Sequence, residues 1–347
     1  MSTHLVTGSN GFIGSYIIKE LITKGEKVIG IDLTDDENVS SGYTFYKTNI
    51  LDKTKMIQIL KDVDYVHHTA ALVPLKKAGE KFWETNVLGT RNMVEAAKIN
   101  KVKHFSHISS SAVFGNVEKK DCPIGNDPKH LKPIEIYGKS KENGEKIIKK
   151  EIEENLSSTS FSILRPRTVI GTERLGIFEI LYEWISESKN IFIIGDGSNM
   201  FQFVHIQDIS DVSILSCYKK KSGIYNVGSD NFSTLETALN NLIKFANSNS
   251  KVKKLPIKLS ILTLKLLDFL KLSPLGPWHY LTYHKDFYYD LSNTCNELNW
   301  KPKYSNDEMF RESYTWYLKN KNFLSHNKSL HKSKLRKGIL KIVKYFA

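Results

Sequence analysis

The sequence has little cysteine: Cys122, Cys217 and Cys295 lie far apart in the chain. No two of them have the CxxC spacing of a metal site, and no disulfide framework is indicated, which is typical of a reducing cytosol. No apolar run approaches the roughly 18 residues of a transmembrane helix. The N-terminus lacks the basic and apolar regions of a secretory signal. We therefore expect a cytoplasmic protein without a spanning helix.

Acidic residues are absent from the C-terminal end, and this absence accounts for much of the net charge. The 347-residue chain carries a formal charge of +13 at pH 7. From His326 onward there are seven Lys and Arg residues and no Asp or Glu, which leaves +6 for the rest of the chain. The body is only mildly basic, so we predict no nucleic-acid partner.

The first half of the chain alternates short apolar runs with helical patterns, which is typical of a parallel, doubly wound α/β sheet. After Gly171 the pattern loosens. A long apolar helix is predicted in "LSILTLKLLDFLKL", and returning strands are predicted in "FQFVHIQDIS" and "GIYNVGS". The strands predicted before Gly171 cover residues 4–8, 27–32, 43–47, 64–70, 102–110 and 161–166.

These patterns predict two interleaved lobes and a tail. A Rossmann-type doubly wound parallel sheet is expected over residues 1–170, with residues 202–228 returning to it. A smaller substrate-binding lobe is expected over residues 171–201 and 229–320. The basic tail follows over residues 321–347.

The first predicted strand runs directly into a glycine-rich turn, "VTGSNGFIG". Gly8, Gly11 and Gly14 would allow a tight turn and a close approach of backbone to a pyrophosphate at a helix N-terminus. The next strand ends in Asp32, whose carboxylate can accept both ribose hydroxyls and would repel a 2′-phosphate. No Arg or Lys follows in "LTDDENVS". The pattern therefore favours NAD over NADP.

A tyrosine and a lysine stand four residues apart in "EIYGKSKENGE", which reads as a helix. Residues i and i+4 share a helix face, so Tyr137 and Lys141 can act on one point in space. A free phenol has a pKa of about 10, and a nearby cation lowers it. The pair is a candidate acid/base device, although an isolated YxxxK is more often a surface tyrosine stacked on a lysine.

Residues 3–318 carry, in order, the motifs "TGSNGFIG", "VHHTAA", "NVLGTRNMVEAA", "ISSSAVFG", "YGKSK", "LRP", "FVHIQDIS", "YNVG" and "ELNWKP". The chain thereby resembles the extended short-chain dehydrogenase/reductase superfamily, in its NAD-dependent epimerase/dehydratase family. The resemblance implies that Tyr137 exchanges a hydroxyl proton while hydride passes to or from the nicotinamide. Lys141 would bind the nicotinamide ribose and, with the cationic ring of NAD+, lower the pKa of Tyr137. Ser110 would hydrogen-bond the substrate oxygen.

The resemblance also implies which residues contact the cofactor. The pyrophosphate would be lined by Gly8, Asn10, Gly11, Phe12, Ile13 and Gly14. The adenine would lie beside Asn49 and Ile50, and the middle of the cofactor would lie over Thr69, Ala70 and Ala71. Pro166 would lie near the nicotinamide. Asn86 would either contact the cofactor or only tie its helix to the neighbouring strand.

Several features of the family are missing. Dehydratases carry an acidic pair after the catalytic serine or threonine, where this chain has Ser111 and Ala112, which argues against a 4,6-dehydratase. Phe201 stands about where enzymes of nucleotide sugars place a diphosphate-binding arginine, and a second arginine is also missing. Phosphates favour bidentate guanidinium groups, so the missing arginines argue against a nucleotide-sugar substrate. Arg167 is a candidate replacement, or else a structural partner of a nearby carboxylate.

Aromatic residues are dense near residues 201–203 and 278–289, which indicates either core packing or an apolar, stacking substrate pocket. His67, His68, His107 and His205 lack the spacing of metal ligands, and we interpret them as histidines with satisfied hydrogen bonds. We predict no metal site.

Three functions remain open. The first is an NAD-dependent oxidoreductase or epimerase that acts on a secondary hydroxyl of a sugar-like substrate, which could be nucleotide- or lipid-linked. The second is a dehydrogenase or reductase of an alicyclic, sterol- or flavonoid-like substrate. The third is a catalytically idle, NAD-binding regulatory protein, which the intact Ser110, Tyr137 and Lys141 disfavour. Ser111, Arg167 and Phe201 are candidate substrate contacts, and a homodimer is expected.

The tail "HKSKLRKGILKIVKYFA" has a two-sided pattern at the 100° spacing of a helix. Apolar residues from Leu335 to Phe346 fall on one face, and lysines from Lys334 to Lys344 fall on the other. A basic amphipathic helix indicates a membrane-surface or partner-docking segment. We predict that residues 330–347 contact the anionic inner membrane surface peripherally, the alternative being packing on the body or on a second subunit.

Overall fold

The structure, a computed structural model, describes residues 1–36, 41–73, 79–126, 131–155, 157–173, 175–270 and 276–326. The predicted tail contact at residues 330–347 lies outside the described residues. Within the described ranges, no helix is both long enough and apolar enough to cross a membrane.

Eleven strands are present in the described part of the chain. Seven of them form one sheet in the order β3-β2-β1-β4-β5-β6-β10, and every neighbouring pair is parallel. The strands are β1 (Thr3–Thr7), β2 (Lys27–Asp32), β3 (Tyr43–Lys47), β4 (Tyr65–His68), β5 (His104–Ile108), β6 (Ser160–Pro166), β7 (Thr168–Ile170), β8 (Ile191–Ile194), β9 (Phe203–His205), β10 (Gly223–Val227) and β11 (Val252–Leu255). The predicted doubly wound parallel sheet is confirmed.

The helices connect these strands and cover both faces of the sheet. They are α1 (Phe12–Thr23), α2 (Lys53–Ile59), α3 (Lys81–Trp83), α4 (Thr90–Ile99), α5 (Ile136–Glu154), α6 (Phe178–Ser186), α7 (Ile206–Lys219), α8 (Leu235–Phe245), α9 (Ile257–Phe269), α10 (Pro277–Thr282), α11 (Ser292–Leu298) and α12 (Asn306–His326). A π-helical turn over Glu84–Gly89 joins α3 to α4, and a 3₁₀ turn over Ser111–Val113 follows β5.

The strand order reverses between β1 and β4, because the chain runs outward from β1 to β3 on one side and from β4 to β6 on the other. In open α/β sheets, ligands bind at the carboxyl ends of the strands at such a switch point. Leu5 of β1 pairs with Ile29 on one side and Val66 on the other; Leu5 and Val66 lie in the apolar core, and the partly buried Ile29 packs against it. The fold therefore directs attention to the loops that follow β1, β4 and β5.

The strand predicted in "FQFVHIQDIS" is mostly wrong. Only Phe203–His205 is extended, and it pairs with β7 rather than with the central sheet. From Ile206 the chain forms α7, which begins where the His205 ring accepts the Gln207 amide at 3.2 Å. Because α7 is buried on several sides, its apolar residues do not follow a single helical stripe. The pattern consequently resembled a strand.

Candidate active site

The glycine-rich turn after β1 packs directly against the loop after β4. Gly8 has a φ of +67°, and a Cβ at this position would lie 2.8 Å from the Cα of Ala70. A Cβ on Gly14 would lie 2.3 Å from the carbonyl oxygen of Gly8. Only glycine fits such approaches. Thr69 fastens the two loops, since its hydroxyl donates to the carbonyl of Thr7 at 2.7 Å.

The start of α1 leaves amide donors open toward this turn. Its N-cap is Gly11, and no side chain caps it, so the first amides of the helix, including those of Phe12, Ile13 and Gly14, lack a capping acceptor. Amides at a helix N-terminus bind phosphate well. The donor set therefore fits a pyrophosphate.

Asp32 supplies the matching acceptor at the end of β2. Its Oδ2 accepts the backbone amide of Asn10 at 3.1 Å, and its Oδ1 accepts the amide of Leu33 at 2.7 Å. The Asn10 side chain donates to the carbonyl of Thr34 at 2.9 Å. The carboxylate is thus fixed beside the glycine turn, where ribose hydroxyls could be accepted. These residues fit an NAD molecule.

The remaining predicted cofactor contacts lie around the same edge of the sheet. Asn49 is exposed, and its Oδ1 accepts the amide of Leu51 at 3.0 Å. Ile50 is buried in the core of the sheet. Ala71 lies in the loop after β4 and is half-buried, and Pro166 is buried at the end of β6.

Asn86 has a structural role in the described structure. Its Oδ1 accepts the amide of Leu72 at 2.8 Å, and its Nδ2 donates to the Ser140 hydroxyl at 2.9 Å. The side chain therefore ties the π-helical turn to the loop after β4 and to α5. Of the two roles predicted for Asn86, this geometry matches the structural one.

Ser110 and Tyr137 meet at the carboxyl end of β5. Ser110 begins the 3₁₀ turn, and its Oγ accepts the amide of Ala112 at 3.1 Å. The Ser110 side chain is close enough to the Tyr137 hydroxyl to influence its pKa. Burial raises the pKa of Tyr137 above its usual value, and the nearby Ser110 hydroxyl offsets part of that rise. The phenol is therefore protonated at neutral pH in this arrangement.

Lys141 lies one turn further along α5 and is almost fully buried. Its Nζ donates to the carbonyl oxygen of Ile108 at 2.6 Å. Burial lowers the pKa of Lys141 to about 8, and the carboxylate of Glu145 offsets part of the effect. The predicted lowering of the Tyr137 pKa by Lys141 is not found in this geometry, because desolvation of the phenol dominates and the ammonium group is bonded to a carbonyl.

A buried ion pair supports the serine turn, and sequence reasoning missed it. Glu145 on α5 accepts Nε and Nη2 of Arg165 on β6 at 2.8 and 2.5 Å. The Ser109 hydroxyl donates to the same carboxylate at 2.6 Å. Both charged side chains are fully buried. The available signals were the arginine before Pro166 and the position of Glu145 four residues after Lys141.

Arg167 lies between aromatic rings with part of its guanidinium unpaired. The guanidinium carbon is 3.8 Å from the centre of the Phe287 ring and 4.8 Å from that of Phe201. Nε donates to the carbonyl of Gln202 at 3.1 Å, whereas Nη1 and Nη2 are buried and have no hydrogen-bond partner among the described residues. The predicted alternative, a carboxylate partner for Arg167, is therefore wrong within the described ranges.

The aromatic clamp of Arg167, formed by Phe201, Phe287 and Tyr289, adjoins the serine turn. The Phe114 ring directly follows that turn and lies 5.6 Å from the Tyr289 ring. Burial raises the pKa of Tyr289, and the charge of Arg167 and a contact with the Ser111 hydroxyl offset part of the rise. Most of the dense aromatic residues are core, and these three also surround a cation beside the site.

The buried histidines of the sheet do not form a metal site. Among the described residues, no group of three or more His, Cys, Asp or Glu side chains is placed to hold a metal ion. His67 and His68 have hydrogen-bond partners on neighbouring strands and helices. His107 is different, since both of its buried ring nitrogens lack a partner in the described part of the chain. The interpretation of His107 as a satisfied histidine is therefore wrong.

A comparison of the sequence with known protein families identifies the family of this chain. The NAD dependent epimerase/dehydratase family matches residues 4–228, so the chain belongs to that family. It is consequently an NAD-dependent enzyme of the kind that the motifs predicted. The match covers the whole central sheet, from β1 to β10, and includes Ser110, Tyr137 and Lys141.

Similar proteins have been found by sequence and by structure. The chain is 35% identical over 346 residues to the uncharacterized protein y4nG of Sinorhizobium fredii (strain NBRC 101917 / NGR234), covering 99% of this chain and 86% of that protein. It is 32% identical over 254 residues to a putative UDP-glucose 4-epimerase of Methanocaldococcus jannaschii, covering 69% and 79%. The structure of UDP-glucuronic acid 4-epimerase from Bacillus cereus in complex with NAD superimposes with a TM-score of 0.73 at 24% identity, covering 91% and 99%.

Proposed function

We propose that the protein oxidises a secondary hydroxyl of a sugar-like substrate, either transiently as an epimerase does or as a net dehydrogenase. The observation that carries this proposal is that Tyr137 and Lys141 lie on one helix, with the buried ammonium of Lys141 bonded to the end of β5 and with Ser110 close to the Tyr137 hydroxyl. The three side chains lie at the carboxyl end of β5, next to the strand-order reversal. Bound NAD would supply a hydride acceptor and a positive charge.

In the proposed mechanism, Ser110 holds the substrate oxygen and Tyr137 accepts its proton. A phenol serves as a base only as the phenolate, so positive charge must lower its pKa from the raised value in this structure. Lys141 provides one such charge, because a pKa of about 8 leaves it mostly protonated at pH 7. Proton transfer by a positioned side chain is typically worth about 10²- to 10⁴-fold in rate.

We also propose that the substrate carries an anionic group that binds Arg167. A buried charge without a partner costs several kcal/mol, and the two unpaired nitrogens of Arg167 form a fork suited to a carboxylate or phosphate. Phe201 stands where an arginine was expected, and the Arg167 guanidinium lies 4.8 Å from the centre of the Phe201 ring. A uronic acid, as in the UDP-glucuronic acid named for the Bacillus cereus enzyme, has such a carboxylate.

The catalytic role is tested by Tyr137→Phe, assayed with NAD+ and either UDP-glucuronate or UDP-glucose. NADH formation reports net oxidation, and chromatography of the sugar products reports epimerisation. We expect the activity to fall by about 10²- to 10⁴-fold with NAD binding nearly unchanged. Tyr46→Phe, on the exposed edge strand β3, is the matched control. Retention of more than about a tenth of the activity in Tyr137→Phe would show that Tyr137 is not the base.

Binding of a sugar carboxylate is tested by calorimetry with the same two nucleotide sugars, which differ only at C6, where one has a carboxylate and the other a hydroxymethyl group. A charge-assisted hydrogen bond contributes about 1.5–3 kcal/mol, so the protein should bind UDP-glucuronate about ten- to a hundredfold more tightly than UDP-glucose. Arg167→Gln should abolish the difference. Arg311→Gln, a surface arginine over the Phe245 ring, should keep it. Equal affinity of the unaltered protein for both sugars would contradict the binding of a sugar carboxylate by Arg167.

The organisation of the protein completes the proposal. We propose the two-lobe division at residues 1–170 with 202–228 and at 171–201 with 229–320, supported by the return of β10 to the central sheet. A cytoplasmic homodimer is also proposed, and the three free cysteines support the cytoplasmic location. Peripheral membrane contact through residues 330–347 remains supported by their sequence pattern alone.

A further inference from the structure

The helix α9 is apolar on nearly all sides, yet none of its residues is buried. Eight of its 13 residues are Ile, Leu or Phe. The side facing the protein carries Ile261, Leu264 and Leu267, which are half-buried. The outer stripe consists of four side chains that are 58–83% exposed: Leu259, Leu262, Leu266 and Phe269.

This stripe is continuous along the helix. Its members are separated by three, four and three residues, so they fall on one face of about 100°. A helix that is hydrophobic all round is normally buried in a core or in a membrane. A contiguous exposed apolar patch marks an interaction surface. The stripe therefore requires a partner that buries it.

The charges beside the stripe indicate the partner. Lys258 and Lys265 are exposed on one flank of the stripe, seven residues apart. A second copy packed on the stripe by a two-fold axis would bring these lysines toward those of its partner. The C-terminal segment of this chain carries seven positive charges from His326 onward and no acidic residue, so its sequence offers these lysines no counter-charge. An anionic lipid surface complements both the leucines and the lysines.

We propose that α9 docks the protein on an anionic phospholipid surface, with Leu259, Leu262, Leu266 and Phe269 inserted among the lipids. Lys258 and Lys265 would lie at the level of the phosphate groups. This attachment is separate from the predicted contact of residues 330–347 and does not depend on the reaction that the enzyme catalyses.

The docking surface lies near the catalytic end of α5. The carboxylate of Asp268 on α9 is close enough to Glu135 to contribute to the raised pKa of Glu135. Glu135 immediately precedes α5 and accepts the amide of Trp278 at 2.7 Å. Since Tyr137 is two residues further on, docking through α9 would hold the candidate active site close to the lipid surface.

The test is co-sedimentation of the full chain with vesicles of phosphatidylcholine alone and of phosphatidylcholine with phosphatidylglycerol. We expect binding to the mixed vesicles. Leu262→Gln with Leu266→Gln should weaken it by about tenfold or more, because two partly buried leucines are lost. Lys258→Gln with Lys265→Gln should weaken it by about 25-fold, since each charge near an anionic surface strengthens binding about fivefold. Ile99→Gln, an equally exposed apolar residue on α4, should leave it unchanged.

Attachment through another part of the chain, or burial of the stripe by a second subunit, would give different results. If the leucine variant binds the mixed vesicles as well as the unaltered chain, attachment occurs elsewhere and the proposal is wrong. If the chain binds no vesicles and the leucine variant lowers the mass in sedimentation velocity, the stripe is a subunit interface and the proposal is also wrong. Circular dichroism of each variant checks that its fold is retained.

Discussion

The buried ion pair between Glu145 and Arg165 should stabilise both the fold and the serine turn. We predict that Glu145→Met lowers the free energy of unfolding by about 3–5 kcal/mol, because it leaves the Arg165 guanidinium buried without a counter-charge. Both side chains are fully buried, and the carboxylate accepts three hydrogen bonds from Arg165 and Ser109 at 2.5–2.8 Å.

We expect the loss of stability to come from the unpaired buried charge rather than from the lost contacts. A double-mutant cycle separates these two contributions. Arg165→Met should cost a similar amount, since it leaves a buried carboxylate unpaired. The double variant with Met at both positions removes both charges and should lose less than either single variant. Glu95→Gln breaks an exposed pair with Lys53 and should cost less than about 1 kcal/mol.

Urea unfolding followed by circular dichroism and by tryptophan fluorescence measures these values, provided that the two transitions coincide. A loss below about 1 kcal/mol for Glu145→Met would place the pair in the range of exposed ion pairs and refute the reasoning. So would a double variant whose loss equals the sum of the two single losses. Activity measured on the same variants reports whether the serine turn has moved.

Three further predictions concern the cofactor and pH. NAD(H) should bind more tightly than NADP(H) in calorimetric titrations, because the Asp32 carboxylate repels a 2′-phosphate, and the reverse order would exclude this role of Asp32. Lys141→Ala should weaken NAD binding, whereas Lys98→Ala on the outside of α4 should not, and equal affinities of both variants would contradict the ribose contact. The folded pKa of Lys141, about 8, lies below its usual value of 10.5. Its positive charge is lost as the pH rises through about 8, and kcat/KM should fall with that charge. A kcat/KM that stays constant well above this pH would show that activity does not depend on the charge of Lys141.

Local patterns predicted the parts of the fold and site that depend on neighbouring residues. The bounds of β2 and β3 agree with the predicted strands, and the glycine turn lies at the predicted strand-to-helix junction. Helical spacing alone predicts that Tyr137 and Lys141 share one face of their helix. The ion pair of Glu145 with Arg165 was not predicted, because it forms between a helix and a strand that no local pattern connects.

Long-range packing determines the remainder. The clamp brings Arg167, which directly follows β6, together with Phe201, Phe287 and Tyr289. The aromatic pattern by itself did not distinguish core from pocket. The raised pKa of Tyr137 reflects burial that spacing does not reveal. The misassigned strand at α7 has the same origin, since burial on several sides removes the stripe by which a surface helix is recognised.

The arrangement of Tyr137, Lys141 and Glu145 on α5 makes the site sensitive to register. These residues are four apart in succession, so the proposed base, the buried cation and the support of the serine turn belong to one rigid helix. One inserted residue between Tyr137 and Lys141 would rotate everything beyond it by about 100° and move the ammonium and the carboxylate off the common face. Substitutions can alter this chemistry step by step, whereas a single insertion or deletion within residues 137–145 would dismantle all of it at once.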